Sequence, residues 1–278
     1  MRELARGLFL ESKYPGVRLG AVVSSDEVLL VDSPIRTEDG REWLSAVAAH
    51  GRPRYLVVLD HHPDRVLGAR GIDLPIVSHD WTRTVMLGWP DTFKGGASPI
   101  GAEADRLKRV TGVRRAIPDL TFSDEMRIRL GEREIVFRHR PGPTEGAIWV
   151  EVSRPAVVFL GDAVTVAEPP YLGEADIDQW LVSLESLRCP GLRDCALISS
   201  RDGKLDSAAV NAMMRFLRKI PDRLERLAAK GKPPEAAAAL AGGLLEGFRV
   251  PQARREQALL RLQAGLARLY TRKYPPER

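Results

Sequence analysis

The chain lacks what several protein classes require. It has 2 cysteines in 278 residues, too few for the disulfide framework of a small secreted scaffold. The spacing of Cys189 and Cys195 matches no metal motif, so the expectation is two reduced, mostly buried thiols. No apolar run approaches the roughly 20 residues of a spanning helix, so no membrane partner is expected. The segment MRELARGLFLESKYPG is interrupted by Glu11 and Lys13, so no secretory signal is read there and a cytoplasmic location is expected. Histidine is scarce as well: His50, His61, His62, His79 and His139 are all there are. That scarcity limits any imidazole-based metal chemistry.

What is present fits a globular protein. Hydrophobic residues make up 44% and charged residues 28%, which rules out a disordered chain. The length suffices for one large domain, or for a domain with a helical appendage. The net charge of +5 is uneven, with 15 basic against 6 acidic residues from Asn211 to Arg278. Without aromatics interleaved in a basic patch, this charge reads as the solvated face of arginine-rich helices, and a nucleic-acid partner is disfavoured.

The first two thirds alternate strand and helix signals. Ala21–Val23 and Val28–Val31 predict a hairpin around Ser24-Ser25-Asp26. Glu42 to His50 has helical spacing before Gly51. Tyr55–Leu59 is a continuous apolar run, as in a strand buried on both faces. Pro75–Val77 predicts a strand and the residues to Leu87 a helix. Trp89 to Pro99 is a loop by composition, followed by a helix near Ala102 to Val110. Hairpins are expected at 126–138 around Gly131 and at 147–160 around Pro155, and Cys195–Ile198 is read as the last strand. From Asp206 onward four helices are expected: 207–219, 221–230, 234–248 and 251–273. Leu259, Leu262, Leu266 and Leu269 form a stripe that must pack on the core or on a second subunit.

Chemistry is expected where polar residues directly follow buried strands. Asp60-His61-His62-Pro63-Asp64-Arg65 follows one such strand, and Gly161-Asp162 follows another. The string YLVVLDHHPDRVLG resembles the first signature of the metallo-β-lactamase fold family, a strand ending in HxHxDH. RPGPTEG resembles its PGHTxG, FLGDAV its strand ending in a bridging Asp, and LISSRDG stands in place of its last histidine turn. The resemblance covers roughly residues 15 to 205. It implies a four-layer αββα sandwich of the α/β class, with residues 1–205 as the family domain and 206–278 as a helical extension.

It also implies a degraded site. Asp60 takes the first histidine position, His62 the second, Asp64 the aspartate and Arg65 the last histidine. Pro143 takes the histidine of the second signature, and Asp162 keeps the bridging role. The final histidine falls on Ser200 or Arg201. The implied ligand set, Asp60, His62, Asp64 and Asp162, is rich in oxygen and suits manganese, iron or magnesium better than zinc. Two readings follow. In one, a single divalent metal, with Asp64 orienting its water and Arg65 beside it, hydrolyses an ester or thioester. In the other, Arg65 and Arg201 neutralise the carboxylates in place of a metal, and the cleft binds a small anion or a protein partner without catalysis. His61 should point away from the cleft. His79 and His139 are read as structural, and Trp81, Trp89 and Phe93 as packing around the loop.

Overall fold

Strand residues without polar alternation must be covered on both faces, and here they are. In the segment Glu27–Val31, Leu29 and Val31 face one apolar cluster while Val28 and Leu30 face another, all of them at 1% exposure or less. The computed structural model describes residues 1–92, 104 and 113–275. The expected helix at 102–110 and the loop residues 93–99, Phe93 among them, lie outside the described residues.

The first sheet has seven strands in chain order: β1 (Arg2–Ala5), β2 (Leu8–Glu11), β3 (Leu19–Ser24), β4 (Glu27–Val31), β5 (Arg52–Val57), β6 (Ile76–His79) and β7 (Leu120–Phe122). It is antiparallel up to β4 and parallel from β4 to β7. The second sheet comprises β8 (Glu125–Leu130), β9 (Arg133–His139), β10 (Ile148–Ser153), β11 (Ala156–Phe159), β12 (Ala196–Ser199) and β13 (Gly203–Leu205), ordered β13-β12-β11-β10-β9-β8. Only β11 and β12 are parallel in it. The two sheets meet through Leu10, Val22, Leu29, Val57, Phe137, Val150, Phe159 and their neighbours.

Helices cover both outer faces. α1 (Thr37–Ala48), α2 (Pro63–Val66) and α3 (Asp80–Leu87) lie on the first sheet, with Trp43, Val47, Val66 and Met86 packed against Leu30 and Leu56. α4 (Ile177–Ser186), α5 (Ser207–Arg218), α6 (Pro221–Ala228), α7 (Pro234–Ala238), α8 (Ala241–Leu245) and α9 (Gln252–Lys273) cover the second sheet. Trp149 and Val158 of that sheet share one core with Trp180, Met213, Leu217 and the α9 leucines. The result is the expected four-layer sandwich with C-terminal helices.

Several local expectations need correction. Strands β1, β2, β7 and β13 and helix α4 were not read from the sequence, so Cys195–Ile198 does not mark the last strand. Four of these are strands of three or four residues, too short for a period-2 signal. The helix expected at 234–248 is broken into α7 and α8 by a turn at residues 239–240. Cys189 is exposed and Cys195 half-buried, so the thiols are not both interior. Among the described residues no helix is long and apolar enough to cross a membrane.

Leu262, Leu266 and Leu269 of α9 are buried within the chain at 3% exposure or less, so the stripe needs no second subunit to cover it. Leu266→Ala should therefore cost about 3 kcal/mol by chemical denaturation. Leu260→Ala on the same helix, at 55% exposure, should cost under about 0.5 kcal/mol. Equal losses would mean that α9 does not pack through this stripe.

Candidate functional site

Parallel strands end side by side, so polar residues placed just after them converge. β4 and β5 deliver Asp32 and Asp60 from one sheet, and β11 and β12 deliver Asp162 and Arg201 from the other. The stretch from Asp60 to Arg65 turns through His62 into α2, whose Pro63 suits a first helical position. Asp32, Asp60, His62, Asp64, Arg65 and Asp162 are each at most 1% exposed. The structure brings together all five residues expected from sequence.

Two guanidinium groups occupy the middle of this cluster. Arg201 grips Asp162 in a two-pronged pair, Nε to Oδ1 at 3.0 Å and Nη2 to Oδ2 at 3.0 Å. Its Nη1 donates to Asp64 Oδ2 and, at 2.8 Å, to the Gly16 carbonyl. Arg65 pairs with Asp162 from the other side, and its Nε lies 3.3 Å from Asp60 Oδ1 and its Nη1 3.8 Å from Asp32 Oδ2. Glycine at position 161 makes room for Arg65. Its φ is +61°, and a Cβ there would stand 2.8 Å from Arg65 Nη1. Of the two sequence candidates for the last family position, Arg201 enters the cluster, whereas Ser200 Oγ donates to Asp32 Oδ2 at 2.7 Å.

The carboxylates respond to these charges in opposite ways. Burial would raise Asp60, but Arg65 and then His62 hold it well below the ordinary carboxylate range. Burial likewise opposes ionisation of Asp162, and Arg201 followed by Arg65 overcomes it strongly. For Asp32 burial wins, and its pKa is pushed up to about 6 despite Arg65. Asp32 was missed in the sequence, although the signal was there: an aspartate directly after the buried run Val28–Val31.

The histidines divide cleanly. His62 Nδ1 donates to Asp60 Oδ2 at 3.0 Å, and its Nε2, fully buried, has no hydrogen-bond partner among the described residues. His61, as expected, stays out of the guanidinium cluster; it bonds Glu174, which Arg268 of α9 also holds at 3.1 Å. Burial would raise Glu174, yet the His61 bond brings it down to about 2. His79 accepts the Trp81 amide at 3.0 Å, capping α3, and stacks on His139 at 3.9 Å. Both are structural. Trp89 packs in the core, whereas Trp81 is 42% exposed. Gly142 packs closely on Trp180: a Cβ there would lie 2.7 Å from Trp180 Cγ.

These residues do not fit a metal. The oxygens of Asp64 and Asp162 accept guanidinium or amide hydrogens, with Asp64 Oδ1 taking the Ala104 amide at 2.8 Å, and those of Asp60 accept the His62 amide and Nδ1. Pro143 offers no donor atom. Two fixed cations stand where a divalent ion would need open lone pairs. Among the described residues no group of three or more His, Cys, Asp or Glu is arranged to hold a metal ion.

Beside the cluster opens a cavity of about 290 Å³ whose wall includes Arg18, Thr165, Glu168, Arg201, Arg254 and Arg261. The last two come from α9. Arg261 is 5% exposed, donates to the Pro169 carbonyl at 3.1 Å and lies over the Tyr171 ring. Burial lowers its pKa to about 10, and Arg201 adds to the effect. Thr165 Oγ1 is buried without a hydrogen-bond partner among the described residues. The α9 arginines were not anticipated, because they lie about fifty to sixty residues beyond the last family signature.

No protein-family model and no curated protein matches the chain. Solved structures do. The DIM-1 metallo-β-lactamase is 17% identical with a TM-score of 0.60, over 78% of this chain and 95% of its own. A metallo-β-lactamase family protein from Thermus thermophilus is 20% identical with a TM-score of 0.62, over 98% of this chain and 95% of its own. The stereoselective inverting sec-alkylsulfatase Pisa1 from Pseudomonas sp. is 16% identical with a TM-score of 0.68, over 97% of this chain and 49% of that one. The chain therefore has the metallo-β-lactamase fold, and the match to the Thermus protein extends through its C-terminal helices.

Two outcomes follow from the charge arrangement. Arg65→Met should destabilise the fold by about 3–5 kcal/mol, because it leaves buried carboxylates uncompensated; a loss within about 0.5 kcal/mol would refute the pairing. Asp32 binds its proton more tightly folded than unfolded, so its contribution to stability falls as pH rises from about 4 to its folded value near 6. Asp32→Asn should remove that penalty, gaining relative to the parent by up to about 3 kcal/mol between pH 4 and pH 7. Urea titrations at stepped pH read the difference, and parallel curves would contradict the assignment.

Proposed function

We propose that this protein is a metal-independent relative of the metallo-β-lactamase-fold hydrolases, and that its cleft binds a small anion without cleaving it. The observation that carries this reading is the position of Arg65 and Arg201 between the carboxylates. A metal in this fold would lower the pKa of a bound water and polarise a carbonyl. Two guanidinium groups supply positive charge but no acidic water: Arg201 donates to Asp162 and Asp64, and Arg65 pairs with Asp162 from the other side. The neighbours' names speak of lactamase and sulfatase activity; the donor set gives no ground for transferring either. A one-metal ester or thioester hydrolase was the other reading of the sequence, and it would require both arginines to leave.

The anion reading rests on the adjoining cavity. Burial disfavours the charged form of Arg261, and a bound anion would relieve that cost. Thr165 Oγ1 lacks a partner that an anion's oxygen could supply. Residues 206–278 then belong to the functional unit, since α9 supplies Arg254 and Arg261. A compact carboxylate or phosphate matches the volume and the charge.

Metal content and anion affinity test the two halves separately. Protein purified without chelator or affinity metal should carry substoichiometric zinc, manganese and iron by elemental analysis. Replacing Asp60, Arg65, Pro143 and Arg201 together by histidine should raise zinc uptake. Zinc-dependent, chelator-sensitive hydrolysis of β-lactam or thioester substrates by the unaltered chain would overturn the reading. Inorganic phosphate should bind saturably with a Kd of about 1 mM or tighter by calorimetry, and Arg261→Met should weaken that binding about tenfold or more. Absence of saturation would remove the anion half and leave the metal-free half standing.

A further inference from the structure

A second concavity lies on the far side of Thr165 and Asp202, between α5 and the turn that follows α8. It is a groove of about 780 Å³. Its floor is apolar, with Leu205, Met213, Phe216, Leu244 and Phe248, and its α5 wall is made of small side chains, Ala208, Ala209 and Ala212. Four cations stand on its rim: Lys204, Arg215, Lys219 and Arg249, all exposed. None of the four makes an ion pair or a side-chain hydrogen bond with the described residues. The two carboxylates on the rim are engaged with backbone. Asp202 accepts the amides of Val166 and Ala167 at 2.8 and 3.1 Å, and Asp206 caps α5 through the Ala209 amide at 2.8 Å.

This is a combination that folding alone does not call for. On the neighbouring surface Arg188 and Arg218 both pair with Glu185. The rim of this groove has kept four charges free around an apolar floor. We propose that the groove docks an acidic amphipathic helix of a partner protein. The alanines let a helix approach α5 closely, the part-exposed Leu205 and Phe248 receive its apolar stripe over the buried Met213, Phe216 and Leu244, and carboxylates on its flanks meet the rim. Arg215 and Lys219 are one helical turn apart, so acidic residues spaced by four on the partner meet both.

Charge complementarity selects an acidic partner, and the floor selects protein over nucleic acid. Phe216 and Phe248 pack edge to face on each other at 5.0 Å, leaving no open aromatic pair on which bases could stack. The inference is independent of the anion reading, since it uses none of the cleft arginines.

The experiment uses the full chain and three fluorescent probes. The first is a helical peptide of about five turns with a leucine stripe flanked by glutamates. The second carries lysine in place of every glutamate, and the third is a single-stranded oligouridine. Anisotropy should show saturable binding of the glutamate peptide and not of the other two. The double substitution Arg215→Glu, Lys219→Glu should weaken that binding about tenfold or more and favour the lysine peptide. Ala212→Trp, which fills the groove, should weaken it with no change of charge, and Arg129→Glu on β8 should leave it unaltered. All four sites are exposed, and thermal melts confirm that each variant folds. The proposal falls if the glutamate peptide fails to bind at about 1 mM, if the lysine peptide binds equally, if the oligouridine displaces it, or if charge reversal leaves its affinity unchanged.

Discussion

Asp162 held between two guanidinium groups is the interaction on which the rest of this site depends. A fully buried carboxylate carries a desolvation cost of several kcal/mol, and three more carboxylates stand close by. Arg201 reaches Asp162 from the end of the last parallel strand, and Arg65 reaches it from α2. Remove either and the remaining charges repel one another in a region that excludes water. The cluster therefore ties the two sheets together at their carboxyl ends, where the fold otherwise leaves loops to be held by whatever chemistry the site contains.

That electrostatic tie has consequences beyond stability. It occupies carboxylate oxygens of Asp162 and Asp64, while the buried Nε2 of His62 is left without a hydrogen-bond partner among the described residues. It also leaves Asp32 as the carboxylate that the arginines reach least, 3.8 Å from Arg65. Burial consequently prevails there and raises the pKa of Asp32.

The C-terminal helices change the character of the cleft. α9 turns one face, Leu262, Leu266 and Leu269, into the core on the second sheet. Its other side runs along residues 168–175 through the pairs Arg254–Glu168 and Arg268–Glu174. A wall of arginines thus stands beside a site that already contains two. The groove beyond α5 arises from the same helical layer, where small residues on one helix leave a channel that the next does not fill.

The sequence by itself determined the sandwich and most of the site. Continuous apolar runs such as Tyr55–Leu59 specify strands buried on both faces, and polar residues directly after such runs must lie at strand ends. Strand-end placement, combined with the resemblance to the family signatures, therefore put Asp60, His62, Asp64, Arg65 and Asp162 together. What it left open needed distances. Ser200 and Arg201 are adjacent in the chain, and only the turn after β12 decided that Arg201 points to Asp162 while Ser200 meets Asp32. Asp32 followed the same strand-end rule but belonged to no matching signature. Arg254 and Arg261 had no signal at all, because a helical residue's contribution to a distant cleft depends on how the helix docks. The pairing of carboxylates with guanidinium groups was likewise tertiary: composition can place charges near one another, but only their mutual geometry shows which oxygens the arginines hold.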